Sequence, residues 1–186
     1  GLAMRPYQKW AVGLAAGCLL ALAAQGAGRS VTRSILYNCE RQVQGRIQSL
    51  LSDNPDAFVD LPRGYYLDNF GVIFVSTCSL APGIGITPFR GPINRQEIRD
   101  HKSKVLARVP QLKETMKTSL LETAGALSDL PDEDRVAIAV TVYHFEWEDT
   151  ADVPSEIVVQ GKKKDLLAAR TDASLRDKAI ELKEMN

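Results

Sequence analysis

Charge of one sign is what this chain most plainly lacks. Its 23 Lys and Arg balance 23 Asp and Glu, for a formal net charge of zero. A nucleic-acid binder ordinarily carries a basic excess or a basic face, so that class is set aside. Aromatic residues make up only 6% of the chain, too few to build stacking platforms for bases. Histidine is limited to His101 and His144, and cysteine to Cys18, Cys39 and Cys78. No Cys-x-x-Cys, His-x-x-x-His, Gly-x-Ser-x-Gly, Gly-x-Gly-x-x-Gly or Gly-Lys-Ser/Thr motif occurs, which leaves no motif-level sign of a redox, zinc, serine-hydrolase or nucleotide site. Internal repeats and low-complexity segments are also missing. What remains is 186 residues, 45% apolar and 25% charged, the makeup of one globular domain with a real core. No cofactor and no metal is expected from these residues.

The N-terminus reads as an export signal. Met4 is the expected start, with Gly1-Leu2-Ala3 as upstream read-through or an appended remnant. Arg5 and Lys9 form a positive n-region, and Trp10 to Ala24 is an uncharged apolar run of h-region length. That run is short for a membrane span, which needs about 20 apolar residues. Ala21-Leu22-Ala23 carries the small-x-small pattern accepted by signal peptidase, so residues 1–23 are assigned to the signal, with cleavage after Gly26 as the alternative. Lipidation at Cys18, or an uncleaved N-terminal anchor, would make the protein membrane-attached. Otherwise it is expected in the periplasm or outside the cell, touching membrane only through this segment. In an oxidising compartment Cys39 and Cys78 form an even pair, so a disulfide between them is weighed against two buried free thiols.

Residues 34–170 read as one α+β domain. Ser34 to Ser52 has an apolar stripe of Leu36, Cys39, Val43 and Ile47 at helical spacing, with Arg33, Glu40 and Arg41 on the other side. Asp53-Asn54-Pro55 stops it. Ala57 to Leu61 and Tyr65 to Leu67 read as short strands about a Pro62-Arg63-Gly64 turn. Phe70 to Leu80 is the densest β-branched and aromatic run, expected to be a central strand covered on both faces. Ile93 to Leu127 is a long helical pattern, capped by Asn94 and Glu97 and expected to kink or break at Pro110. Arg135 to Trp147 is the second strong strand, with valines and Ile138 on one face and Ala137 and Ala139 on the other, where a helix could approach. Glu156 to Gln160 is a third strand. Residues 171–186 read as a charged C-terminal helix or tail.

Two places could carry function, and two others read as solvated surface. Between the second strand and the long helix, Ala81 to Pro92 strings Gly and Pro around apolar Ile84, Ile86 and Phe89, with Arg90 and Arg95 flanking the helix start. Its expected role is a ligand or partner contact, or a stiff connector. His144 and Glu146 are the one histidine–carboxylate pair at strand i, i+2 spacing, the arrangement of half a metal site or an acid–base pair. Only His101 could add a further histidine. The acidic run Glu146, Glu148, Asp149 and Asp152 lacks the Asp/Asn-Gly calcium loop and reads as a solvated turn. Lys162 to Lys164 is too short for a lipid-binding cluster.

Tyr66-Leu67-Asp68-Asn69-Phe70-Gly71-Val72-Ile73-Phe74 resembles a Tyr-Leu-x-x-Tyr-Gly-Val-Val-Phe strand found in uncharacterised exported bacterial proteins, with Phe70 in place of the usual Tyr. In that family a signal peptide and a helix precede this strand. A long charged helix and a strand similar to Asp134 to Val140 follow it, and the end resembles Ile157-Val158-Val159-Gln160 leading into Lys164 to Leu167. The resemblance spans about residues 34–170. It implies an exported α+β protein and brings no reaction, cofactor or catalytic residue.

The expected fold is a small antiparallel or mixed sheet covered by the long kinked helix and the N-terminal helix. The expected function is a non-catalytic envelope or periplasmic protein acting through protein or ligand contacts. The alternative is a small periplasmic hydrolase or metalloenzyme using His144 and Glu146.

Overall fold

The computed structural model describes residues 31–85 and 87–186. The expected signal, with Cys18, lies outside the described residues. No helix among those described is long and apolar enough to cross a membrane.

The elements run α1 (Arg33–Leu50), β1 (Phe58–Leu67), β2 (Gly71–Cys78), α2 (Arg95–Ala126), β3 (Arg135–Val142), β4 (Glu156–Lys162), α3 (Lys163–Thr171), a 3₁₀ turn (Ala173–Leu175), α4 (Arg176–Ala179) and β5 (Glu181–Met185). The five strands follow sequence order in one mixed sheet. β1 and β2 form an antiparallel hairpin, β2 and β3 are parallel, and β4 and β5 continue antiparallel. The fold is therefore α+β, as the sequence implies. The parallel pair demands a crossover, and α2 supplies it.

Alternation in the strands sorts the sheet into two faces. Val72, Phe74, Val136, Ile138, Val140, Ile157 and Val159 are buried on one face. Against that face pack α2, through Val105, Val109, Leu112, Met116 and Leu120, and α1, through Leu36, Cys39, Val43 and Ile47. The other face carries Ile73, Val75, Ala137, Ala139 and Val158. No described helix covers it, and Val75 is 37% exposed. The expectation that β2 is covered on both faces is thus corrected. The two alanines of β3 lie on the face away from the helices, so they admit no helix.

Local chemistry explains other departures. β1 is one strand, not two, because the Pro62-Arg63-Gly64 segment is absorbed as a register shift between Asp60 and Arg63. A bulge takes in the residue that cannot donate to the ladder. Phe70 belongs to the hairpin turn, with Asn69 at φ 63° and Gly71 at φ 128°. A Cβ on Gly71 would meet the Arg135 carbonyl oxygen at 2.1 Å, so only glycine lets β2 start against β3. Glu40, expected on the solvent side of α1, is buried. Its carboxylate accepts the Gly64 N–H at 2.7 Å and pairs with Arg33, which donates to the Gly64 carbonyl at 3.0 Å. Both backbone groups of that glycine are thereby satisfied.

The α2 cap forms as expected: Asn94 accepts from Gln96 and Glu97 at 2.9 Å, and Glu97 accepts the Asn94 N–H at 3.0 Å. The helix runs unbroken through Pro110, which is exposed. Leu106, whose carbonyl loses its helical partner to the proline, is 37% exposed. The C-terminal residues form the 3₁₀ turn, α4 and edge strand β5 instead of a helix or tail. Lys163 is buried and donates to the Leu130 carbonyl at 2.5 Å and to the Ser128 carbonyl at 3.2 Å. Lys162 and Lys164 pair with Glu133. The lysine run thus fastens β4 and α3 to the turn after α2.

Candidate functional site at the loop end of the parallel strands

β2 and β3 run parallel and both end toward one rim of the sheet. The segments leaving them, Ser79 to Asn94 and Tyr143 to Ser155, meet above α2. In sheets with parallel strands, ligand sites gather outside such carboxyl ends.

β3 stops at Val142, so the alternation expected through Trp147 does not continue. Tyr143 to Glu148 instead form an aromatic ledge. Tyr143 meets Phe145 edge-on with centroids 5.2 Å apart, and Phe145 stacks on Trp147 at 5.6 Å. His101 from α2 meets Trp147 edge to face, with ring centroids 4.7 Å apart. Gly83 of the preceding loop lies against Phe145, where a Cβ would come 2.8 Å from the ring. A larger residue there would lift the loop from the ledge.

The change of backbone direction separates the expected pair. Glu146 is exposed, whereas His144 turns inward to Glu148, four residues on. The Nδ1 of His144 lies 3.1 Å from Glu148 Oε2, and Glu148 Oε1 accepts the Phe145 N–H at 3.2 Å. The Nε2 of His101 lies 3.0 Å from Glu148 Oε1 without hydrogen-bond alignment. The structure thus unites His101 and His144, the two histidines of the chain, around one carboxylate. The side chains of His101 and Glu148 are each 5% exposed. The Nε2 atoms of both histidines are buried without hydrogen-bond partners. Each Glu148 oxygen faces a different ring, so the donors do not converge on one point. Among the described residues no group of three or more His, Cys, Asp and Glu side chains is arranged to hold a metal ion. Outside the cluster Lys102 donates to Asp149 at 2.8 Å and, with the Ala151 N–H, holds that carboxyl below its usual range.

This arrangement is a clasp. It fastens the post-β3 loop to α2 through a buried carboxylate and a ring contact. A general base must reach a proton on a substrate, and here the carboxylate and both Nε2 atoms are shut in by protein.

The open part of the site lies beside the clasp. A cleft of about 470 Å³ is lined by Gly85, Arg90, Gly91, Pro92, Ile93 and Trp147. Arg90 donates to the Gly85 carbonyl at 3.1 Å and pairs with Glu97, which braces the loop against the first turn of α2. Ile84 is half-buried, Phe89 is 100% exposed, and Arg95 is exposed at the start of α2. Ile86 lies outside the described residues.

Cys39 and Cys78 are both fully buried and free. Burial pushes the Cys39 thiol up to about 11, with Glu40 adding to the shift, and the Cys78 thiol up to about 12. Neither has the thiolate character of a nucleophile.

The residues that sequence reasoning missed are Glu148 and Trp147. In sequence Glu148 reads as part of a solvated acidic turn. One signal was present for His101: it stands four residues before Val105 on the buried stripe of α2. No protein-family model, curated protein or solved structure matches this chain.

Proposed function

We propose that this chain is an exported, non-catalytic binding protein that meets a protein or small-molecule partner at the loop end of its parallel strands. The observation that carries the reading is Phe89, wholly exposed on a loop braced by Pro88, Pro92 and the Arg90–Glu97 pair. A large apolar side chain held in water on a stiffened loop loses little conformational entropy when a partner covers it. The neighbouring cleft offers Trp147 as a floor, an aromatic surface of the kind that anchors contacts. The buried His101–Glu148–His144 clasp supports a scaffold role for the residues beneath. Export rests on the sequence from Arg5 to Ala24.

The test is site-specific photocrosslinking in cells, with a benzophenone amino acid at position 89 and, as a control, at exposed Tyr37 on α1. The expected result is a discrete adduct from position 89 that Trp147→Ala abolishes, and none from position 37. Equal labelling from both positions, or none from position 89, contradicts the reading. Phe89→Ser should leave unfolding stability within about 0.5 kcal/mol of the native chain, since surface changes rarely do more.

A further inference from the structure

The clasp above α2 holds two imidazoles against a single carboxylate. His101 comes from α2 and His144 from the loop after β3, and both meet Glu148. An ionised carboxylate only accepts, so the His144 Nδ1, 3.1 Å from Glu148 Oε2, is the donor of that bond. The His101 Nε2 stands 3.0 Å from Oε1, which also accepts the Phe145 N–H. The side chains of His101 and Glu148 are 5% exposed and that of His144 17%, and both Nε2 atoms are buried without hydrogen-bond partners.

Histidine is the side chain whose charge changes between about pH 5 and 8. A proton on one ring is matched by the Glu148 carboxylate as an ion pair. A proton on each ring is not, because two cations then face one anion and a positive charge is left over in a closed site. With Nδ1 already donating, the proton that charges His144 sits on Nε2. It turns a buried lone pair into a charged donor with no acceptor in reach, which is far costlier to bury. Once the loop lifts from α2, water hydrates both rings. The open form therefore binds more protons than the closed one, and linkage makes acid favour opening.

The neighbouring charges are committed elsewhere. On α2, Glu97 caps the helix and pairs with Arg90 of the preceding loop, Asp100 accepts from Gln96 at 2.7 Å, and Lys104 is exposed. In the post-β3 loop Glu146 and Asp152 are exposed, and Asp149 is taken by Lys102. None of these carboxylates supplies the missing anion. What the clasp fixes is Trp147, which lies between His144 and Glu148 in sequence, packs on His101 and Phe145, and floors the cleft. The Lys102–Asp149 pair also ties this loop to α2, but Asp149 is 51% exposed and such a pair holds weakly.

We propose that the His101–Glu148–His144 cluster is an acid-released latch: with both rings charged, the Tyr143–Glu148 ledge comes away from α2 and the cleft loses its floor. The test reads the chain alone, without a partner, so the latch stands or falls separately from the binding reading. Trp10→Phe in the full chain leaves Trp147 as its one tryptophan. Acrylamide quenching of Trp147 should rise reversibly, by at least about twofold, between about pH 7.5 and about pH 5, with far-ultraviolet circular dichroism unchanged. Collisional quenching counts access to the indole, which protonation of an adjacent imidazole does not itself alter. His144→Asn in this background keeps an N–H donor beside Glu148 and cannot gain a charge, so Trp147 should stay shielded over the same range. Glu148→Gln removes the anion, leaves even one cation unmatched, and should move the opening to higher pH. If His144→Asn perturbs the fold at neutral pH, Glu148→Gln decides alone. Quenching that does not change with pH in the Trp10→Phe chain overturns the proposal, as does an equal rise in a folded His144→Asn variant or an opening that Glu148→Gln fails to move upward.

Discussion

Phe74 and Val75 are neighbours in one strand, yet they belong to two different surfaces. Phe74 is fully buried beneath the helices, and Val75 is 37% exposed on the bare face. The same contrast runs across the sheet: Val136, Ile138 and Val140 under α2, Ala137 and Ala139 opposite. Large side chains interdigitate where helices cover the sheet, whereas on the side that no described helix covers Ala137 and Ala139 lie among Ile73, Val75 and Val158. The difference teaches that stability is concentrated in one layer of contacts.

The comparison breaks most visibly in the covered layer. Leu112 is fully buried in the middle of α2, so Leu112→Ala should cost about 2–5 kcal/mol by removing methyl groups and leaving a cavity. Urea unfolding measures it. A loss below about 1 kcal/mol would mean that the layer is loosely packed.

A smaller effect is expected where a polar group is part of that layer. Glu40→Ala strands the buried Gly64 N–H and frees Arg33, for about 1–3 kcal/mol. Glu40→Gln retains an acceptor and should cost less. Equal losses for the two variants would assign the role to charge alone.

Alkaline titration sharpens the contrast by probing two buried thiols of the covered layer. Their folded values, about 11 and about 12, lie above the ordinary 9.0. The thiols are neutral in both states well below pH 9. As pH rises past 9 the unfolded thiols ionise while the folded ones stay protonated, so stability falls toward pH 11. The steepest expected slope is about 1.4 kcal/mol per pH unit per thiol. Tyr and Lys titrate in the same range, so the readout is the difference between the native chain and Cys39→Ala/Cys78→Ala. The double variant should show the shallower decline, and an identical decline would contradict burial of the thiols.

Much of this architecture was legible because it rests on periodicity. The stripes of α1 and α2 are buried as their spacing implies, and the Asn94–Glu97 capping box forms in full. Elements whose ends depend on tertiary partners were less legible. β1 reads as two strands because Pro62 and Gly64 look like a turn, and only pairing with β2 shows them held in a bulge. β5 reads as helix because Leu182 and Met185 fit a thin helical stripe, whereas β4 offers that segment an edge to pair with. At the candidate site, the Gly/Pro loop announced itself by composition. The clasp did not, because His144 finds Glu148 only after β3 ends at Val142, and His101 arrives from a helix more than 40 residues away in sequence. The pairing of His144 with Glu146 assumed strand geometry that stops two residues too early.

The most direct test of the two-surface account is a comparison of Phe74→Ala with Val75→Ala by urea unfolding. One peptide bond separates the two residues, so local propensity is shared and only the face differs. The account predicts a loss of about 3–5 kcal/mol for Phe74→Ala and under about 1 kcal/mol for Val75→Ala. Comparable losses at the two positions would contradict it, since they would show the bare face to be as firmly packed within the single chain as the covered one.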